Sequence, residues 1–145
     1  MPIYISPHFT LEEATFSETA VRRNAKNQPG TIEWENMKKA AAELEKIRAL
    51  TGPLIVNSWY RSYEVNKLVG GSKNSSHMEG WAIDVRSKTK TPLELCRIAL
   101  ESGVKFDQLI LEYDRWMHIS FDPALRGQVL SIFDNGRYLQ GLIKR

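Results

Sequence analysis

The stretch Ser75-Ser76-His77-Met78-Glu79-Gly80-Trp81-Ala82-Ile83-Asp84 passes from a polar loop into an apolar strand. Residues 72–80 are rich in Ser, Asn and Gly. After them Trp81, Ile83 and Val85 alternate with Ala82 and Asp84, the period of a strand with one apolar face. A carboxylate on such a strand must be paired or bound, because an isolated buried charge is costly. His77 stands at the end of the loop that feeds it. The chain has three histidines in all: His8, His77 and His118. His118 lies on Trp116-Met117-His118-Ile119-Ser120, where Met117 and Ile119 can face a core while His118 and Ser120 face a cleft. Two imidazole nitrogens and one carboxylate oxygen suit zinc in a tetrahedron. Three protein ligands leave the fourth position open, as in catalytic rather than structural sites. Taken singly, His118 also fits a structural histidine, and Asp84 a carboxylate met by backbone donors or an Arg.

Outward from this stretch, Thr10-Leu11-Glu12-Glu13 has the spacing of a capping box and opens a short helix. Ser17 caps a second short turn running to about Asn24. Trp34, Met37, Ala41, Leu44 and Ile47 recur at helical spacing after Thr31, and Gly52-Pro53 stops that helix. Residues 54–59 read as a strand and 62–69 as a helix ended by Gly70-Gly71. Thr91-Pro92-Leu93-Glu94 starts another helix, which Gly103 ends. Residues 106–113 and 116–121 read as strands joined at Asp114-Arg115. Residues 129–133 and 137–142 suggest a last hairpin around Asp134-Asn135-Gly136. Helices come first and strands dominate later, so the fold class is α+β.

The 145 residues fit one domain, 1–145, with no repeat, linker or low-complexity segment. With 42% hydrophobic and 26% charged residues the chain can fold without disulfides, and its single Cys allows none internally. Cys96 lies among Leu93, Leu95 and Ala99 and reads as packing. No apolar run approaches a membrane span, and residues 1–13 lack the pattern of a secretory signal. A protein made in the cytoplasm and released by something else is therefore expected. The net charge of +3 is scattered, without the dense basic patch of a nuclease. Nucleic acid is not the expected partner, and a monomer is.

The residues quoted above resemble the D-alanyl-D-alanine carboxypeptidase family of zinc peptidases, which includes several phage endolysins. The family signature Ser-x-His-x-x-Gly-x-Ala-x-Asp is matched at every fixed position by residues 75–84, and its Trp-x-His-x-Ser by residues 116–120. Tyr60-Arg61-Ser62, Asn66, Val69-Gly70-Gly71, His8-Phe9-Thr10 and Phe106-Asp107-Gln108-Leu109-Ile110 continue the likeness over nearly the whole chain. It is closest to the short single-domain branch. The resemblance implies a small central antiparallel sheet with flanking helices, shared with the hedgehog signalling domain. It also implies Zn²⁺ on His77, Asp84 and His118, and a peptidoglycan peptide as substrate. Arg61 would hold that substrate through a carboxylate or carbonyl, as an Arg fork can, and Tyr60 and Ser75 would flank it. A structural ion pair is the other reading of Arg61, and local hydrogen bonding that of Ser75.

Many relatives place an acid three residues before the last His, where this chain has Arg115. Glu112 is the expected catalytic base, reaching His118 across a hairpin, with Asp114 as the alternative. The missing acid leaves room for a non-catalytic zinc module that only binds. His8 could add a ligand or tie the N-terminus to the body. Trp59, where relatives often have Gly, is expected to narrow the groove or stack on substrate. The bond cut, among carboxypeptidase, cross-link endopeptidase and L-Ala-D-Glu chemistries, is not readable from spacing. As an endolysin the protein would act at the host wall or periplasm once the membrane is opened.

Overall fold

The computed structural model describes residues 1–144. Tyr4–Ser6 (β1) and Phe9–Thr10 (β2) form a small antiparallel hairpin. It precedes Leu11–Thr15 (α1), Glu18–Arg22 (α2) and Thr31–Thr51 (α3). Leu54–Ser58 (β3), Tyr63–Leu68 (α4), a 3-10 turn at Ser76–Glu79, Ala82–Ser87 (β4) and Pro92–Glu101 (α5) follow. Gln108–Glu112 (β5), Trp116–Ser120 (β6), Gln128–Ile132 (β7) and Tyr138–Gln140 (β8) complete the chain. The capping residues read from the sequence do their work: Thr10, Ser17 and Thr91 each accept a backbone N–H at a helix start, and Ser62 does the same for α4.

The main sheet has the order β3-β4-β6-β5-β7-β8. The α+β class stands, with one refinement: the sheet is mixed, because β7 pairs with β5 in parallel. The register explains this. Ser120, at the end of β6, lies opposite Gln108, at the start of β5. The chain then turns within a few residues, and the Gly127 N–H donates to the Phe106 carbonyl at 3.0 Å. A strand that enters beside the start of β5 must run the same way as β5. The β1–β2 hairpin was not foreseen, since strands this short carry no legible alternation.

The alternation sorts the two faces. Ile83, Val85, Leu109, Leu111, Met117 and Ile119 point to one side and are buried with Met37, Leu44 and Ile47 of α3 and Leu95, Cys96 and Ala99 of α5. α5 packs on β4, β5 and β6, and α3 packs on α5 and the 3-10 turn. Burying a side chain of this size contributes about 1.5–3 kcal/mol, so this face anchors the strands. The opposite face carries Asp84, His118, Ser120 and Glu112, beside a small apolar cluster of Ile110, Leu130 and Ile132. The core therefore fixes the strands, and strand register brings the polar groups together. Among the described residues, no helix is long and apolar enough to cross a membrane.

Candidate functional site

His77 rides on the 3-10 turn. Ser75 caps that turn, its Oγ accepting the His77 N–H at 3.2 Å. Gly80 closes it with φ +87°, and a Cβ there would lie 2.7 Å from Met37 Cγ and 2.9 Å from the Glu33 carbonyl oxygen. Both the left-handed backbone and the contact with α3 require glycine. The His77 ring is held from behind, with Nδ1 at 2.7 Å from the Trp59 carbonyl oxygen. A carbonyl only accepts, so Nδ1 carries the proton and Nε2 keeps its lone pair for the cleft.

Trp59 itself is corrected by the structure. It is 1% exposed, not a groove residue. Its ring packs edge-on to Phe9, and its Nε1–H donates to the Gly80 carbonyl at 2.9 Å. A ring of this area gains most from full burial once its one donor is satisfied. Trp59 thus supports the turn and orients His77 without lining the groove, a role with no signal in the sequence.

Asp84 and His118 are direct partners across β4 and β6. Asp84 Oδ1 lies 2.9 Å from His118 Nδ1, and Oδ2 lies 3.4 Å from His77 Nε2. Burial pushes the Asp84 pKa up, but the two imidazoles outweigh it and hold the carboxyl well below the usual carboxylate range. Burial pushes His77 down. It acts the same way on His118, yet the bond to Asp84 prevails there and the pKa rises. The three ligand atoms all lie within 4.8 Å of one another. Ligand atoms about 2.0–2.1 Å from a tetrahedral zinc sit about 3.3 Å apart, a spacing within the 4.8 Å that encloses these three atoms. The donor set, the tautomer of His77 and the spacing fit a divalent ion such as zinc.

Glu112 ends β5 diagonally from His118, whose direct partner is Ile110. Its Oε1 lies 3.6 Å from His118 Nδ1. Burial and the charge of Asp84 push its pKa up to about 7, against the pull of His118 and Arg61. A carboxylate with that proton affinity suits proton transfer near neutral pH. Asp114 lies in the exposed turn at φ 53° and does not line the cleft. Arg115 beside it is exposed too.

Arg61 reaches the same place from the loop after β3. Burial pulls its pKa down while Asp84 and Glu112 draw it back, and it stays charged. Its Nε is buried without a hydrogen-bond partner among the described residues. Its backbone N–H donates to the His77 carbonyl at 3.1 Å. Gly71 leaves room for the guanidinium: a Cβ there would strike Asn66 Oδ1 and come within 3.0 Å of Arg61 Nη1.

These groups line a cleft of about 370 Å³ whose walls include Arg61, Ser75, His77, Glu112, Arg126 and Tyr138. A second hollow of about 410 Å³ adjoins it, sharing Arg61 and Asp84 and reaching to Phe16 and Tyr60. Tyr60 is thus beside the cleft rather than in it. A further hollow of about 700 Å³ lies against Trp81, Val104 and Phe121 and contains none of the candidate site residues. Among the described residues His8 joins no metal-binding cluster: its Nδ1 lies 2.7 Å from Glu45 Oε1, tying the N-terminal hairpin to α3. Cys96 is buried, with its thiol pushed up to about 12 by burial and the nearby Asp114 and Glu112. Arg126 and Tyr138 were not foreseen, for they lie outside every motif and only the return of β7 and β8 brings them here.

A family model described as Peptidase M15 matches residues 7–120. The chain belongs to the peptidase M15 family. M15 peptidases are metal-dependent, generally with zinc, and membership supports a metallopeptidase in which the His77, Asp84 and His118 cluster could bind the ion. The matched span of this M15 peptidase includes Arg61, the three-residue cluster and Glu112, and it ends before Arg126 and Tyr138. No curated protein matches the chain.

Proposed function

We propose that this M15 peptidase hydrolyses an amide bond in peptidoglycan stem or cross-link peptides. In this reading His77, Asp84 and His118 hold zinc, Glu112 is the general base and Arg61 anchors the substrate. One observation carries it: the cluster, a carboxylate with its pKa near 7 and a charged Arg with an unpartnered Nε share one cleft.

Bound zinc supplies a Lewis acid that polarises a carbonyl and makes water easier to deprotonate. The remaining work falls to the chain. Trp59 keeps His77 in one tautomer through its carbonyl. Glu112 Oε1 accepts a proton from the attacking water and passes it to the departing nitrogen, so the carboxylate is regenerated as the amide becomes an acid and an amine. Arg61 donates to a substrate carboxylate or carbonyl, and its unpartnered Nε gives it a donor to spare. Ser75 and Tyr60 flank the bound peptide from the cleft wall and the adjoining hollow.

The resemblance to short phage enzymes supports an endolysin that reaches the wall or periplasm after the membrane is opened, working as a monomer. The reading as a binding module rested on the absence of an acid at Arg115, and Glu112 supplies an acid from the facing strand. Digestion of purified peptidoglycan, with products read by mass spectrometry and a chelator control, tests the proposal. Released stem peptides would identify the bond. Intact peptidoglycan after treatment with zinc-loaded protein would overturn it.

A further inference from the structure

We propose that Arg126 is a specificity-determining residue that binds a free carboxylate of the peptide substrate through the open edge of its guanidinium. The inference rests on the peptidase reading above and adds a recognition element to it.

Arg126 sits just before β7, at the rim of the cleft that holds His77, Glu112 and Arg61. Asp107 clamps it. Asp107 Oδ1 accepts the backbone N–H of Arg126 at 3.0 Å and its Nε–H at 2.9 Å, and Oδ2 accepts from Nη2 at 2.8 Å. The carboxylate is buried, with 4% of its side chain exposed, while 56% of the Arg126 side chain is exposed. The neighbouring backbone is fixed as well, since the Gln128 N–H donates to the Asp107 carbonyl at 2.9 Å.

A guanidinium has five N–H donors in one plane. Asp107 uses the edge formed by Nε and Nη2. The outer edge, formed by Nη1 and the second N–H of Nη2, makes no hydrogen bond among the described residues. That edge is the shape that meets a carboxylate with two parallel hydrogen bonds. A flexible arginine would lose side-chain freedom on binding, whereas this one is already held by a buried partner, so binding costs less entropy. Because Asp107 offsets its charge, Arg126 acts by the geometry of its fork more than by net charge. Lysine has no such fork. A purely structural ion pair would hold the loop equally well at any place on the surface, whereas this one lines the cleft of the candidate site. Arg61, the other cation lining the cleft, is the proposed anchor near the reacting amide, which leaves Arg126 for a carboxylate elsewhere on the peptide.

The test uses zinc-loaded protein and the soluble pentapeptide L-Ala-γ-D-Glu-L-Lys-D-Ala-D-Ala. Two derivatives carry a carboxamide, one at the D-Glu α-carboxylate and one at the C-terminus. Binding is measured by calorimetry in a Glu112→Gln background, and cleavage is followed with the wild type. One carboxamide is expected to bind about tenfold more weakly than the parent, the loss of a charge-assisted pair. That ratio should fall toward 1 in Arg126→Lys. It should also fall in the double variant Asp107→Asn with Arg126→Gln, which keeps a neutral pair and leaves no buried charge alone. Discrimination that survives in both variants, or is absent in the Glu112→Gln background before either is added, overturns the inference. Discrimination by protein that cleaves neither the pentapeptide nor purified peptidoglycan would remove the peptidase reading and leave the carboxylate site standing. Cleavage without discrimination would do the reverse.

Discussion

Glu112 is the residue on which turnover depends in this reading, and its neighbours make it so. Burial and Asp84 raise its proton affinity, and strand pairing sets it 3.6 Å from His118. Glu112→Gln is expected to lower kcat by about 10²–10⁴-fold with zinc content unchanged by atomic absorption, whereas Asp114→Asn should stay near wild type. Loss of activity in Asp114→Asn alone would reverse the assignment. Asp107 makes a separate prediction at the same scale. The hydrogen bonds from Arg126 lower its pKa against the effect of burial. A depressed carboxylate pKa stabilises the fold above the unfolded value, about 3.9, and that stability is lost as pH falls through the folded value. Acid denaturation followed by circular dichroism should therefore show a shallower loss of stability below about pH 4 in Asp107→Asn than in wild type, although the variant starts less stable at neutral pH.

At the scale of elements, the 3-10 turn between α4 and β4 decides where His77 points. Ser75 starts it, Gly80 ends it, and Trp59 braces it at both the His77 ring and the Gly80 carbonyl. Gly80→Ala would force a side chain into φ +87° and against Met37 and the Glu33 carbonyl. A loss of about 1–3 kcal/mol is expected, read as a lower Tm. Zinc affinity, measured by competition with a chromogenic chelator, should fall with it because His77 shifts. A variant with wild-type affinity would show that the turn does not position the ligand. The capped helices and the strand alternation were readable because caps and periods are local. The brace from Trp59 was not, because it joins residues 59, 77 and 80 through backbone carbonyls that accept from any suitably placed donor, so no residue type marks them.

At the scale of the molecule, the three proposed ligands come from a loop turn, β4 and β6, and they meet only when the sheet has formed on α3 and α5. An ion that binds this arrangement binds the native state and not the unfolded one. Free zinc at one hundred times its Kd should stabilise the fold by about 2.7 kcal/mol. Scanning calorimetry with and without a chelator measures this as a drop in Tm on metal removal, and an unchanged Tm would count against the site.

The identities of His77, Asp84 and His118, the alternation around them and the helix caps were determined by the sequence alone, because each depends on residue type and short spacing. The α+β class follows from the same local signals. The parallel placement of β7, the burial of Trp59 and the delivery of Arg126 and Tyr138 to the cleft were decided only by tertiary structure. They depend on which strand edge the chain meets after β6, and on what fills the space behind the 3-10 turn. Those are contacts between distant residues that no local pattern encodes.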